Sequence, residues 1–361
     1  MTITEISAQA YRIPTDAPEA DGTLDWDATT IIVVRVSAGG TRGLGYTYCH
    51  EAAAGLLNHH LAGVVSGCDP MAVRASWDAM VRSVRNMGLG GVAAYAISAV
   101  DAALWDLKAR LLGLPLARLL GAVRRQVPIY GSGGFTSYTP PQFARQLGGW
   151  AAQGIRAVKM KVGGHPGDDA GRVAEARKAI GPETALFVDA NGAFDRPTAL
   201  ALARDFAAEG VTWFEEPVSS DDLRGLRAIR ERVPPGMAVA AGEYGTTPWY
   251  FRAMLDSGAV DILQADATRC LGITGFLTVG ALCDAFATPL SAHCAPALHL
   301  HVGSAVPRLR HLEWFHDHVR IESLLFDGVA APQAGCLEPD FSRLGHGLEL
   351  KERDADHYAI I

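Results

Sequence analysis

The chain changes the spacing of its apolar residues at two points. Residues 1–50 alternate apolar and polar positions in segments such as ITEISAQAYRI and TTIIVVRVSAGG, which predicts strands. The acidic stretch PTDAPEADGTLDWDA between them is predicted to be a loop. From about Glu51 the spacing becomes helical, most clearly over residues 92–113, where the sequence GLPL marks the helix end. Residues 1–125 therefore predict an α+β unit in which strands precede helices.

From Gln126 onwards, short apolar runs alternate with stretches of helical spacing such as PPQFARQLGGWAAQG. Eight of the apolar runs are strand candidates: VPIYGS (127–132), AVKMKV (157–162), ALFVDA (185–190), TWFEE (212–216), AVAAGE (238–243), DILQAD (261–266), PLSAH (289–293) and RHLEW (310–314). Eight strands at this spacing predict a (β/α)8-type barrel. After about Glu322 the chain becomes rich in loop residues. We predict three regions, 1–125, 126–322 and 323–361, of which the last packs back on the first.

Composition narrows the class of partner. The 361 residues are 49% apolar and 20% charged, with a formal net charge of −7 at pH 7, which is ordinary for a soluble globular protein. There is no clustered basic excess of the kind that a nucleic-acid surface needs. The six cysteines form no CxxC pair, the first residues are too polar for a signal peptide, and no stretch is apolar enough to span a bilayer. We therefore predict a cytoplasmic protein with no nucleic-acid or membrane partner.

Three acidic residues stand at the ends of three successive predicted strands. Asp189, Glu215 and Glu243 are 26 and 28 residues apart, an interval that fits one strand, one helix and two loops. At the carboxyl ends of barrel strands the three side chains converge on one point, where they repel each other unless a cation lies between them. Oxygen ligands of this kind suit Mg²⁺.

Lysine and histidine residues occupy other predicted strand ends. Lys159 and Lys161 are two residues apart and point to the same face of a strand. Each ammonium group disfavours the charge of the other, and a nearby Mg²⁺ disfavours both charges further. The pKa of a lysine in this pair is therefore expected to be lowered towards the value that a base near neutral pH requires. Asp266 and His293 are one barrel repeat apart, and the aspartate can fix the tautomer of the imidazole. The alternatives are a solvated lysine pair and a histidine that caps the following helix.

Four further segments carry candidate chemistry. Glu313, in HLEW, can donate a hydrogen bond to an enolate if it is kept protonated, or it can form a salt bridge. The segment HCAPALHLH offers His299 and His301, but it lacks the spacing of a zinc site. The segments GLGG and GSGGF lack the spacing of a dinucleotide fingerprint.

Taken together, the motifs KMK, VDANG, WFEEP, AGE, QAD, SAH and HLEW, with the segment ISAVDAALWDLKARLLGLPLARLLG, resemble the mandelate racemase subgroup of the enolase superfamily over nearly the whole chain. The resemblance implies an α/β fold, a modified (β/α)7β TIM-type barrel with an N-terminal α+β capping domain that the C-terminal tail completes. It also implies a homo-oligomer.

The resemblance further implies roles for individual residues. The Mg²⁺ ligands are Asp189, Glu215 and Glu243. The bases on the two faces of the substrate are Lys161 and His293, the latter paired with Asp266, while Lys159 lowers the pKa of Lys161 and, like Glu313, contacts the substrate carboxylate. Asn191 and Glu216 match positions beside the metal ligands.

Such a site abstracts the proton α to a carboxylate and passes through an enediolate. We favour elimination of water from an acid sugar to give a 2-keto-3-deoxy acid, because the specificity loops at about 15–30 and 46–50 are polar. Asp21, Trp26, Tyr46 and His50 are assigned to substrate binding. The alternatives are a racemase or epimerase using the same Lys161 and His293 pair, a sugar-lactone cycloisomerase, and a catalytically silent barrel that only binds.

Overall fold

A computed structural model describes residues 1–360 of the chain. The N-terminal region begins with an antiparallel sheet of three strands, β1 (Ile3–Ala20), β2 (Asp25–Ala38) and β3 (Thr41–Tyr48). Helical segments follow: α1 (Ala52–Leu56), a π-helical turn (Leu57–Leu61), α2 (Ala62–Val65), α3 (Val73–Ser83), α4 (Val92–Leu111) and α5 (Leu116–Leu119). The predicted order of strands and then helices is confirmed, as is the long helix.

The acidic stretch is not a loop, so that prediction is wrong. β1 and β2 continue as a hairpin through most of it, with Glu19 opposite Trp26, and leave only residues 21–24 as the turn. The Asp21 carboxylate closes this turn by accepting the backbone N–H groups of Thr23 and Leu24, at 2.6 and 2.8 Å. Strands pair through main-chain N–H and carbonyl groups, so a stretch rich in acidic side chains can still form a strand.

Helix α4 packs directly on the sheet. Most of its side chains are buried, and two glycines of β3 permit the close approach. A Cβ atom on Gly43 or Gly45 would collide with the carbonyl oxygens of Ala103 or Ala99 in α4. Small residues on both elements therefore set the depth at which the helix lies against the sheet.

The second region is a closed barrel of eight parallel strands. They are β4 (Val127–Gly133), β5 (Ala157–Lys161), β6 (Ala185–Asp189), β7 (Val211–Glu215), β8 (Ala238–Ala241), β9 (Ile262–Ala265), β10 (Leu290–Ala292) and β11 (Leu309–Phe315). Each strand pairs with the next, and β11 closes the ring on β4, with Glu313 opposite Tyr130. The helices between the strands are α6 (Pro140–Ala152), α7 (Asp169–Ile180), α8 (Arg196–Ala208), α9 (Leu223–Arg230), α10 (Pro248–Asp256), α11 (Gly272–Ala285) and α12 (Pro296–Ala305). The predicted fold class is confirmed.

The inside of the barrel is layered. Tyr130, Phe187 and Trp213 form a buried aromatic cluster, in which the rings of Phe187 and Trp213 stack at 5.1 Å. Residues two apart on a strand face the same way, so Asp189 and Glu215 point inward directly above Phe187 and Trp213. An apolar plug thus supports a layer of charged groups.

The C-terminal segment lies against both regions. It contains α13 (His316–Leu325), β12 (Phe326–Asp327), β13 (Cys336–Leu337), β14 (Glu349–Leu350) and α14 (Glu352–Asp356). Strand β13 pairs with β4 of the barrel, and the N–H of Ile360 donates to the carbonyl of Ala10 in β1. Among residues 1–360, no helix has the length and hydropathy needed to cross a membrane.

Candidate active site

The three acidic residues do meet at the carboxyl ends of the strands. Asp189 and Glu215 end β6 and β7, and Glu243 follows β8 after Gly242, whose φ of 135° and close approach to Gln264 exclude a larger side chain. One carboxylate oxygen from each of the three residues lies within 4.8 Å of the others, and all three side chains are buried.

The carboxylate cluster fits a hard divalent cation. One oxygen of Asp189 accepts the backbone N–H of Asn191, and one oxygen of Glu215 accepts the indole N–H of Trp213, both at 2.9 Å. Oε2 of Glu243 is buried and has no hydrogen-bond partner. A buried carboxylate oxygen without a partner costs free energy unless a cation satisfies it. The set of three carboxylates therefore fits Mg²⁺.

Lys161 lies between the cluster and the cavity. Its Nζ atom is 2.5 Å from Oδ2 of Asp189 and donates to Oδ1 of Asn191 at 3.1 Å. Burial favours a lower pKa for Lys161, but the Asp189 carboxylate outweighs it and the nearby Lys159, so the pKa is raised. The lowered pKa expected from the sequence concerns Lys161 beside a bound Mg²⁺ and stays a prediction, because the Asp189 carboxylate that raises the pKa here is also one of the candidate metal ligands.

Lys159 lies deeper and binds two carboxylates. Its Nζ atom is 2.6 Å from Oε1 of Glu215 and 2.9 Å from Oε1 of Glu313. Glu313 also accepts the Ser132 hydroxyl at 2.6 Å and the backbone N–H of Cys294 at 2.9 Å. Burial would raise the pKa of Glu313, but Lys159 holds it well below its usual range. Glu313 thus forms a salt bridge with a strand-end lysine, which is the second of the two roles that the sequence left open, and Lys159 is not part of the cavity wall.

His293 faces the cluster from the other side. Its Nδ1 atom is 2.8 Å from Oδ2 of Asp266, and its Nε2 atom is 3.4 Å from Oε2 of Glu243. The other Asp266 oxygen accepts the N–H and hydroxyl of Thr268, both at 2.7 Å. Although burial favours a raised pKa for Asp266, the hydrogen bond and the charge of His293 lower it. Asp266 therefore stays ionised and directs Nε2 of His293 towards the metal cluster.

The two other histidines of this region bind the backbone. His299 accepts the N–H of Ala267 through Nε2 at 2.8 Å, and His301 accepts the N–H of Ala117 through Nδ1 at 3.2 Å. Burial lowers the pKa of both imidazoles. Both imidazoles are therefore held in place by backbone groups.

A cavity of about 430 Å³ opens above these groups, between the barrel and the cap. Lys161, His293, Glu243 and Glu313 form its floor, and Asp21, Trp26 and His50 of the predicted specificity set line its wall.

Tyr46 does not line the cavity, although we predicted it to bind substrate. Its buried hydroxyl donates to Oε1 of Glu322 at 2.5 Å and accepts the N–H of Leu298 at 3.1 Å. The reason is its place on β3, two residues further from the strand end than Tyr48, whose side chain does reach the wall.

His318 and Arg269 are among the wall residues that sequence reasoning missed. The His318 ring stacks on Tyr48 with ring centres 3.5 Å apart, and burial lowers its pKa to about 3, which keeps it neutral. Arg269 donates to the carbonyl of Glu243 at 3.3 Å and lies between the Tyr95 and Tyr244 rings. His318 follows Glu313 closely in the sequence, and Arg269 follows Asp266. Closeness to these candidate site residues is the one sequence feature that could have indicated a place in the cavity wall.

Fold and site together define a barrel enzyme of the enolase type. Residues 12–121 match the family described as mandelate racemase / muconate lactonizing enzyme, N-terminal domain, and residues 142–355 match the enolase C-terminal domain-like family. The chain belongs to the enolase superfamily, in its mandelate racemase subgroup.

Three relatives illustrate the range of this family. A mandelate racemase/muconate lactonizing enzyme-like protein from Rubrobacter xylanophilus is 53% identical, with a TM-score of 0.98 over 100% of both chains. L-talarate/galactarate dehydratase from Salmonella typhimurium is 33% identical over 82% of this chain and 77% of its own. A structure of a variant of that dehydratase, with Mg and L-glucarate, has a TM-score of 0.91 at 28% identity, over 99% of this chain and 92% of its own. The 3,6-anhydro-alpha-L-galactonate cycloisomerase of Streptomyces coelicolor is 33% identical over 96% of this chain and 97% of its own.

Proposed function

We propose that the protein is a Mg²⁺-dependent dehydratase that removes the proton α to the carboxylate of an acid sugar and eliminates the β-hydroxyl as water, giving a 2-keto-3-deoxy acid. One observation carries the proposal. Lys161 and His293 both reach the cavity floor, and their strands, β5 and β10, lie on nearly opposite sides of the eight-strand ring. A substrate held between them presents one face to an amine and the other to an imidazole.

Asp189, Glu215 and Glu243 would hold the metal ion, for the reasons of geometry and charge given above. Bound Mg²⁺ supplies a Lewis acid that stabilises the negative charge developing on the substrate carboxylate. Lys159 and the N–H of Asn191 hold the carboxylates of Glu215 and Asp189 in place from below.

Proton transfer is assigned to two atoms. Release of the contact with Asp189, which raises the pKa of Lys161, allows Nζ to lose its own proton. As the neutral amine, Nζ takes the proton from the α-carbon, and the electrons of that bond move into the carboxylate to give an enediolate. Nε2 of His293, protonated and held by Asp266, gives its proton to the β-hydroxyl as the bond from carbon to oxygen breaks. Water leaves, and the resulting enol becomes the 2-keto acid.

The polar side chains of the cavity wall favour an acid sugar as the substrate. Asp21, His50 and the neutral His318 give the cavity hydrogen-bonding groups, which hydroxyl-rich substrates need. The similarity to a sugar-acid dehydratase supports the same choice. A racemase or epimerase would use the same two proton-transfer atoms, with His293 returning its proton to the α-carbon. The similarity to a cycloisomerase supports cycloisomerisation of a sugar lactone as a lesser alternative.

The deciding experiment is a screen of stereochemically complete acid sugars with Mg²⁺ in D₂O. Formation of 2-keto acid and uptake of deuterium at the α-carbon are followed together. A dehydratase yields keto acid from one substrate or a few. Deuterium in an unchanged or inverted acid, without keto acid, would establish the racemase or epimerase instead. A protein that binds acid sugars but exchanges no proton would be a silent barrel.

A further inference from the structure

A second cluster of metal-ligand side chains lies outside the catalytic cavity. Asp16, Glu19 and His316 each present one ligand atom, and the three atoms lie within 4.8 Å of one another. Asp16 and Glu19 belong to the distal part of β1, in the hairpin that covers the barrel mouth. His316 begins α13, directly after the strand that carries Glu313.

An irregularity of β1 makes this meeting geometrically feasible. Residues three apart on a regular strand point to opposite faces, so Asp16 and Glu19 would diverge. The pairing of β1 with β2 shifts register between Pro14 and Glu19, and this shift lets both side chains face α13. Nε2 of His316 lies 3.0 and 3.1 Å from the two carboxylate oxygens of Asp16.

An unsatisfied buried oxygen points to a missing ligand. Glu19 is only 1% exposed, and its Oε2 accepts the indole N–H of Trp26 at 2.9 Å. Its other oxygen, Oε1, is buried and has no hydrogen-bond partner. A carboxylate half satisfied in this way is costly unless it is protonated or binds a cation.

The nearest charged neighbours do not neutralise Glu19. Asp317 adds negative charge, and its oxygens accept the Thr29 hydroxyl at 2.5 Å and the Arg320 guanidinium at 2.7 Å. Arg320 also donates to the carbonyl of Pro14. Burial, together with Asp317, raises the pKa of Glu19 to about 9. At neutral pH the carboxyl of Glu19 is therefore protonated unless a cation takes the place of the proton.

We propose that Asp16, Glu19 and His316 form a second divalent-metal site, which fastens the cap hairpin to the rim of the barrel. One imidazole nitrogen with two carboxylates suits a borderline metal such as Zn²⁺, whereas the catalytic set offers carboxylate oxygens that suit Mg²⁺. A contact between His316 and Asp16 of about 3 Å is close to the separation of two ligands on one tetrahedral zinc ion. The proposal does not depend on the reaction assigned to the catalytic cavity.

The test uses the full chain loaded with excess Mg²⁺ and measures Zn²⁺ affinity by competition with a chromogenic chelator. The variants are Asp16→Asn, Glu19→Gln and His316→Gln. The control is His59→Gln, because His59 is an exposed histidine of the π-helical turn. We expect each cluster variant to lose one Zn²⁺ or to bind it at least about tenfold more weakly. The control should match the wild type.

Two further readouts separate a metal site from a purely structural cluster. Crystals soaked in Zn²⁺ should show an anomalous-scattering peak among the three side chains. In metal-free buffer Glu19→Gln should raise the Tm, because the variant removes a buried carboxyl that must either carry a charge or take up a proton. Added Zn²⁺ should raise the Tm of the wild type but not of Glu19→Gln. Equal zinc binding by all variants, or a peak found only among other residues, would overturn the proposal.

Discussion

Nδ1 of His293 lies 2.8 Å from Oδ2 of Asp266, and this contact fixes the imidazole nitrogen that faces the cavity. Asp266→Asn keeps the shape of the side chain but can present an N–H group to the ring, which favours the wrong tautomer. We expect kcat for elimination to fall by roughly 10²- to 10⁴-fold. Asp284→Asn, at an exposed ion pair with Arg308, is the control and should leave kcat unchanged. A wild-type rate in Asp266→Asn would show that His293 does not depend on Asp266 for its tautomer.

Lys161 and His293 should fail in different ways. Lys161→Ala removes the base, so both keto-acid formation and deuterium exchange at the α-carbon should fall at least about 10²-fold, with acid-sugar affinity nearly intact. His293→Asn should stop elimination while Lys161 still exchanges the α-proton. Rapid-quench assays in D₂O measure both rates. Exchange that survives in Lys161→Ala and disappears in His293→Asn would reverse the two roles.

Mg²⁺ binding should depend on the charge of Glu243. Glu243→Gln keeps the size of the side chain but removes the negative charge of a carboxylate whose Oε2 has no hydrogen-bond partner, so we expect the Mg²⁺ dissociation constant to rise at least about tenfold. Chelation of the wild type should abolish turnover, and added Mg²⁺ should restore it. Isothermal titration measures the affinity. Glu231→Gln, at an exposed pair with Arg227, is the matched control.

Two tyrosines of β3 should respond oppositely to loss of the hydroxyl. Tyr46→Phe deprives Glu322 and the N–H of Leu298 of a buried partner, and it should lower the free energy of unfolding by about 1–3 kcal/mol. The buried hydroxyl of Tyr48 has no partner, so Tyr48→Phe should be neutral or stabilising. Chemical denaturation of both variants gives the comparison. A larger loss in Tyr48→Phe would contradict the assignment of Tyr46 as the structural residue.

Glu322 should make the fold less stable as the pH rises. Burial raises the pKa of its carboxyl from 4.5 to about 8, although the Tyr46 hydroxyl and the N–H of Ala297 oppose the shift. Because the folded-state pKa lies above the unfolded one, the stabilisation is complete below about pH 4 and is lost as the pH rises through 8. The gain in Tm from Glu322→Gln should therefore grow between pH 5 and pH 8.5. A gain independent of pH would show that Glu322 does not titrate in this range.

The sequence predicted best those features that repeat along the chain. The strand ends that carry Asp189 and Glu215 can be recognised in the sequence, because an apolar run stops at a charged residue at regular intervals. The errors concern contacts between distant segments. Tyr46 donates a hydrogen bond to Glu322, which lies 276 positions further along the chain, and no local sequence pattern predicts such a contact.

The charge environments of Lys161 and Glu313 depend on contacts of the same kind. Whether Lys161 is nearer to Asp189 or to Lys159 decides the direction of its pKa shift, and that depends on ångström-scale positions in a packed barrel. Glu313 likewise becomes an acceptor because Lys159, Ser132 and the N–H of Cys294 surround it.

The hairpin over the barrel mouth is held largely by main-chain groups. The carbonyls of Pro18 and Asp21 accept the hydroxyls of Ser137 and Thr136, and the strands pair through their backbones. Cavity-facing side chains that make no hydrogen bond within the hairpin, such as Leu24, can consequently be replaced without dismantling the frame, and they include none of the proposed base, acid or metal ligands. Mutation can thus alter the choice of substrate in small steps while the chemistry is inherited unchanged, which makes this hairpin the natural place for directed evolution to begin.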